Sequence, residues 1–175
     1  MPAPKLPIRI GVIGLSISGG WATTLLAPIL GSNAPLALTY KLTAISTRSA
    51  ESAAATAAKY SAELGHTVKG YHGPDGARTL VNDPDIDLVV VAVKVTDHRA
   101  NAVLALEAGK DVFVEWPLGR GFAEGKELVE LARKKGVRTM VGTQATQAPF
   151  VRKVSRKCVY TCSGVVDSLG SLKSL

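Results

Sequence analysis

The chain has 175 residues, 46% of them apolar, 20% charged and only 5% aromatic, the balance of a soluble globular protein whose single core is packed from Ala, Val and Leu. No apolar run is long enough to span a membrane and the start, MPAPKLPIR, has no signal-peptide core. The two cysteines, Cys158 and Cys162, are too few for a zinc site or a disulfide framework, so the expected compartment is the cytoplasm or nucleus. The net charge is +7, with +4 of it in the segment from Val151 on (Arg152, Lys153, Arg156, Lys157 and Lys173 against Asp167); this reads as a solvated basic tail rather than a nucleic-acid surface.

Ile8, Ile10, Val12 and Ile13 form a β-branched apolar run, the pattern of a strand buried on both faces. Gly14, Ser16, Gly19 and Gly20 make a small-residue turn, after which Ala22, Leu25, Leu26 and Ile29 recur at helical spacing. A strand, a glycine-rich turn and a helix N-terminus point free N–H groups and a helix dipole at one place, and the usual occupant is a dinucleotide pyrophosphate. Against the fingerprint G-x-G-x-x-G, Gly14 and Gly19 hold the first and third places and Ser16 the second. A serine there stands where backbone normally approaches phosphate, though its hydroxyl can itself donate to an oxygen. A turn that binds nothing stays open on this stretch alone.

Gly31 to Leu38 reads as a loop and Lys41 to Ser46 as a second strand, ending in Thr47-Arg48-Ser49. An acidic residue here suits the ribose hydroxyls of NAD and an Arg suits a 2′-phosphate, so Thr47 and Arg48 tilt the choice towards NADP, with a plain surface arginine as the alternative. Ser49 caps an Ala-rich helix through Lys59 that Gly65 ends. Thr67 to Tyr71 is a short third strand. The turn Gly73-Pro74-Asp75-Gly76 and a helix to Val81 come next, and Asp87 to Val93 is a central parallel strand. At its carboxyl end, where open α/β sheets bind ligands, lie Lys94, Val95, Thr96, Asp97 and His98. Thr96 or Asp97 caps the next helix, to Glu107, with Gly109 beyond its end; His98 is a helix-start residue or, as its location favours, a cofactor contact.

Asp111 to Glu115 is the fifth strand, Phe122 to Lys135 an amphipathic helix with Leu128, Leu131 and Ala132 inward, Gly136 its stop, and Val137 to Gly142 the sixth strand. The alternation predicts an α/β fold: a doubly wound parallel sheet, order 3-2-1-4-5-6, in three αβα layers. From Ser155 the chain is Ser-rich without sustained period. The expected organisation is a Rossmann-type domain over 1–150 and a divergent, weakly ordered tail over 151–175.

The stretch DPDIDLVVVAVKVTDHRANAVLALEAGKDVFVEWPLG, Asp83 to Gly119, resembles the N-terminal domain of the Gfo/Idh/MocA oxidoreductases, and the resemblance covers most of Ile8 to Val154. In that family a Glu-Lys-Pro motif follows the fifth strand, and its lysine takes part in catalysis beside the nicotinamide. Here the motif reads Glu115-Trp116-Pro117. With GLSISGGWA and VAVKVTDH, this departure resembles the fungal branch similar to the galactose-regulon repressor. In that branch the scaffold binds a nicotinamide dinucleotide and regulates a transcriptional activator.

The resemblance implies a nicotinamide dinucleotide as ligand, NAD or NADP, held by Gly14, Leu15, Ser16, Ser18, Gly19, Gly20 and Trp21 of the turn and by Thr47 and Arg48. It adds Lys94, Val95 and His98 after the fourth strand, Glu115 and Trp116 after the fifth, and Gln144 after the sixth. No residue is assigned a catalytic or metal role: an indole is no acid or base at neutral pH. The family's second, substrate-binding domain is expected to be missing from this chain, with Gln144 to Val154 the start of the crossing into it. A homodimer is implied only for a full-length form. Three functions compete: a dinucleotide-binding, oxidoreductase-like domain that is catalytically incomplete, a dinucleotide-sensing regulator that binds an activator protein, and an active sugar or diol dehydrogenase, against which Trp116 counts. Direct nucleic-acid and membrane contact are not expected.

Overall fold

The structure, a computed structural model, describes residues 7–26, 36, 38–143, 149, 152 and 153. Its six strands are β1 (Ile8–Ile13), β2 (Tyr40–Thr47), β3 (Lys69–His72), β4 (Leu88–Val91), β5 (Asp111–Glu115) and β6 (Thr139–Gly142). They pair in parallel in the order β3-β2-β1-β4-β5-β6, as the alternation predicts. The helices are α1 (Ala50–Leu64), α2 (Gly76–Val81), α3 (Val95–Glu107) and α4 (Phe122–Lys135). Gln144 and the tail expected from Val151 fall outside the described residues, apart from Arg152 and Lys153, as does most of the loop between β1 and β2.

Both faces of the sheet are covered, which is why its central strands are continuous apolar runs. On one face Val89, Val91, Val112 and Val114 pack with Leu80 and Val81 of α2, Ala102, Ala105 and Leu106 of α3, and Leu128 and Ala132 of α4. On the other, Ile10, Val12 and Val90 pack with Ala22, Ala53 and Tyr60. Leu42 and Ile45 share that second face although they are three apart, because the register shifts between Ile10 and Gly11 and leaves Thr43 as an extra residue in β2. Gly11 gives α2 its close approach: a Cβ there would come within 2.7 Å of both Leu80 and Ile86.

Local chemistry sets the helix ends. Ser49 accepts a hydrogen bond from the Ser52 N–H at 3.2 Å, and Gly65 (φ 69) and Gly136 (φ 67) take the left-handed conformation that ends α1 and α4. One expectation fails. The cap of α3 is neither Thr96 nor Asp97 but Lys94, in extended conformation and without a side-chain capping bond. The helix therefore begins at Val95, and Asp97 sits inside its first turn, where a carboxylate complements the dipole. The strand expected through Val93 also stops earlier, at Val91, opposite the last residue of β1, Ile13, where the paired neighbour runs out.

Candidate functional site

The carboxyl ends of β1, β2 and β4 open into a groove of about 570 Å³, ample for a small-molecule ligand. Gly14 places its floor. Its φ is 101°, and a Cβ would stand 2.3 Å from the Ala92 carbonyl oxygen, so the turn presses against the exit of β4 in a way only glycine permits. The Gly14 N–H donates to the Ser46 carbonyl at 3.0 Å, tying the same turn to β2.

The turn is built differently from a bare glycine cradle. The Ile17 N–H donates to Thr56 Oγ1 (3.2 Å), the Ser18 N–H to Ser16 Oγ (3.3 Å), and the Gly19 N–H to the Ser16 carbonyl (3.4 Å). Ser16 Oγ also lies 2.8 Å from Ser18 Oγ and 3.1 Å from Ser52 Oγ. The expected array of free N–H groups is thus partly consumed within the protein. Among the described residues the turn leads into one π-helical turn, Ala22–Leu26, rather than the start of a regular α-helix. The hydroxyl in the second glycine's place staples the turn to α1, and so ties the loop after β1 to the helix after β2.

Side chains add polar and charged groups to the groove. Ser16, Ser18, Thr47, Ser49 and Ser52 line the groove with hydroxyls, and Arg48 and Lys94 bring two cations. Among the described residues neither cation's side chain makes an ion pair or hydrogen bond within the protein. Pairing a phosphate with an unpaired guanidinium is favourable because charge-assisted bonds add about 1.5–3 kcal/mol each. Asp97 is the carboxylate in the wall, and Pro74 and Asn101 complete the side nearest β3 and α3.

Of the residues predicted from sequence, Gly14, Ser16, Ser18, Gly19, Thr47, Arg48 and Lys94 come together in this wall. Leu15 is fully buried and offers only backbone; Gly20 and Val95 lie outside the wall. Trp21, Glu115 and Trp116 form a second group: the Trp21 Nε1–H donates to Glu115 Oε2 at 3.0 Å, with Glu115 5% exposed and the two indoles 60% and 68% exposed. The peptide bond between Trp116 and Pro117 is cis.

His98 lies apart from the groove wall. It is 1% exposed, its Nδ1 lies 2.7 Å from the Pro117 carbonyl oxygen and its Nε2 3.0 Å from that of Val93, so the ring is committed to the protein rather than to the groove. Because α3 begins at Val95, position 98 turns inward onto the sheet. Sequence reasoning does not reach Ser49, Ser52, Pro74, Asp97 and Asn101 as site residues. A signal exists for Ser52, one turn past the Ser49 cap, and for Asn101, four residues after Asp97, whose carbonyl it binds at 2.8 Å. Among the described residues no helix is long and apolar enough to cross a membrane.

Comparison with known proteins agrees with this geometry. Residues 8–143 match the model of the Gfo/Idh/MocA proteins, described as an oxidoreductase family with an NAD-binding Rossmann fold. The dehydrogenase aclE of Aspergillus oryzae is 40% identical over 84% of this chain and 38% of its own length. The galactose/lactose metabolism regulatory protein of Saccharomyces cerevisiae is 23% identical over 93% of this chain and 37% of its own. Among solved structures, a super-repressor mutant of Gal80p from Saccharomyces cerevisiae superposes with a TM-score of 0.70 at 25% identity, over 84% of this chain and 37% of that one. A 3-ketoreductase from Actinomadura kijaniata, in complex with TDP-benzene and NADP, gives 0.69 at 28% identity, over 88% and 42%. The chain spans well under half the length of these relatives.

Proposed function

Because the chain belongs to the Gfo/Idh/MocA oxidoreductase family through its NAD-binding Rossmann domain, we propose that the groove binds NADP in preference to NAD, and that this chain does so without turning over a substrate. The observation that carries the reading is the groove itself. It is lined by hydroxyls and two unpaired cations at the carboxyl ends of a doubly wound sheet, where the strand order reverses between β1 and β4. Arg48, directly after β2, supplies the planar fork that suits a 2′-phosphate. The Glu115-Trp116-Pro117 turn argues against chemistry, because its exposed indole has no acid or base to offer. In this reading Arg48 binds phosphate, the serines orient it, and Glu115 holds the Trp21 side chain across from the turn.

The experiment assays the 175-residue chain and its Trp116→Lys variant for NAD(P)H formation with sugars, polyols and dihydrodiols. The expected outcome is no turnover by either protein. Turnover by the natural sequence at an ordinary enzymatic rate, about 1 s⁻¹ or faster, would overturn the non-catalytic part of the reading.

A second reading, a regulator that binds an activator protein and senses the dinucleotide, is supported by the similarity to the yeast galactose/lactose regulatory protein and by Trp116 in the motif. Capture of a transcriptional activator that depends on added dinucleotide would favour it.

A further inference from the structure

The groove takes its hydroxyls and Arg48 from the glycine-rich turn, the end of β2 and the start of α1, whereas α3 contributes Asp97 and Asn101. A carboxylate in a groove that otherwise offers hydroxyls and two cations needs a reason, because it repels any phosphate that comes near it. Asp97 and Asn101 are four residues apart and so share one face of α3. The Thr96 hydroxyl donates to Asp97 Oδ1 at 3.3 Å; among the described residues Oδ2 takes no hydrogen bond and the carboxylate makes no ion pair. The Asn101 amide has a fixed orientation, since its Nδ2 donates at 2.8 Å to the Asp97 carbonyl oxygen, a group that can only accept. Its Oδ1 therefore has no protein donor among the described residues. This face of α3 presents two open acceptors to the groove. What satisfies them is a ligand group with two N–H donors. Pro74 and Ala77, from the turn before α2 and from α2 itself, add apolar surface to the wall, which suits the faces of a planar ring.

We propose that this face of α3 selects the base of the bound nucleotide: Asp97 and Asn101 accept from the exocyclic amino group of an adenine, so that the groove takes adenine in preference to a 6-oxopurine. The proposal rests on the dinucleotide reading and deepens it by naming the residues that choose the base. An aromatic amino group brings two N–H donors without a positive charge, so it meets both acceptors and does not compete with Arg48 and Lys94 for the phosphates. In hypoxanthine an oxygen stands in place of that amino group and sets lone pair against lone pair, with a single N–H left on the neighbouring ring nitrogen.

The test titrates the full chain with NADP⁺ and with its deamino analogue, nicotinamide hypoxanthine dinucleotide phosphate, as the natural sequence, Asp97→Asn and Asn101→Ala, with thermal unfolding as a check of folding. The natural sequence should bind NADP⁺ about tenfold more tightly than the analogue. Asp97→Asn puts an amide N–H₂ where it can serve the 6-oxygen, so the preference should fall to within about twofold or reverse. Asn101→Ala, which removes one acceptor and keeps the carboxylate, should narrow the preference by a smaller factor. Equal affinity of the natural sequence for the two dinucleotides would overturn the proposal and leave the dinucleotide reading standing. So would a preference kept in full by both variants, or by Asn101→Ala alone if Asp97→Asn does not fold. A natural sequence that binds neither dinucleotide would overturn the dinucleotide reading and the proposal with it.

Discussion

The two ends of the sheet both carry charged groups and use them in opposite ways. At the amino ends of the strands the charges are matched. Arg9 donates to both oxygens of Asp87 at 2.8 and 2.9 Å and reaches Asp85 at 3.2 Å. Lys69 bridges Asp83 and Asp85 at 2.8 Å each, Tyr71 donates to Asp83, and Arg138 pairs with Asp111. Lys110 donates to the Asp83 and Ile86 carbonyls, and burial pushes its ammonium below the usual lysine range. At the carboxyl ends Arg48 and Lys94 stand in an open groove with no side-chain partner among the described residues. A fold that satisfies its charges at one end and leaves cations open at the other makes the second end the candidate for an anionic ligand.

Four substitutions or conditions probe that contrast, beginning with the largest effect. Gly14→Ala forces a side chain to within 2.3 Å of the Ala92 carbonyl at a φ of 101°. NADP affinity should fall about a hundredfold or more, read by titration on protein shown to be folded; unchanged affinity would remove the turn from the site. Asp83→Ala acts at the other end. It strips Lys69 and Tyr71 of their shared acceptor and should lower unfolding stability in urea by about 2 kcal/mol, a figure kept modest because Lys69 is 41% exposed. Dinucleotide affinity should stay within about twofold; a larger loss would show that the two ends are not separable.

Arg48→Ala should weaken NADP about tenfold and leave NAD nearly unchanged, and equal losses would assign Arg48 another role. The smallest effect is the acid response. Burial alone would raise the Asp83 carboxyl, but Lys69, the Asp85 N–H and Tyr71 outweigh it and hold it below the usual range, while Arg9 holds Asp87 down. A carboxylate depressed in the folded state adds stability above its unfolded value and loses it as pH falls through the folded one. The thermal midpoint should therefore drop below about pH 4, and less steeply in Asp83→Asn.

Local features are the ones legible in the sequence. The strand order, the Ser49 cap, the stops at Gly65 and Gly136 and the bounds of β5 and α4 rest on periodicity and on single residues with one conformational use. Gly14, Arg48 and Lys94 are legible as groove residues because Gly14 and Arg48 directly follow β1 and β2 and Lys94 comes three residues after β4. The remainder depends on distant partners. Ser16 meets Ser52, Ile17 meets Thr56 and Trp21 meets Glu115 across separations of 36, 39 and 94 residues, which no sequence window reveals. Sequence reasoning puts His98 beside the groove because it starts α3 two or three residues too late, and where the helix begins decides which way position 98 faces.

The measurement that bears most directly on the open end of the sheet is calorimetric titration of the folded chain with NAD⁺, NADH, NADP⁺ and NADPH. Saturable one-site binding is expected, tighter for the 2′-phosphorylated pair, lost in Gly14→Ala and kept in Asp83→Ala. Absence of heat with all four dinucleotides would contradict a ligand site at the carboxyl ends of the strands.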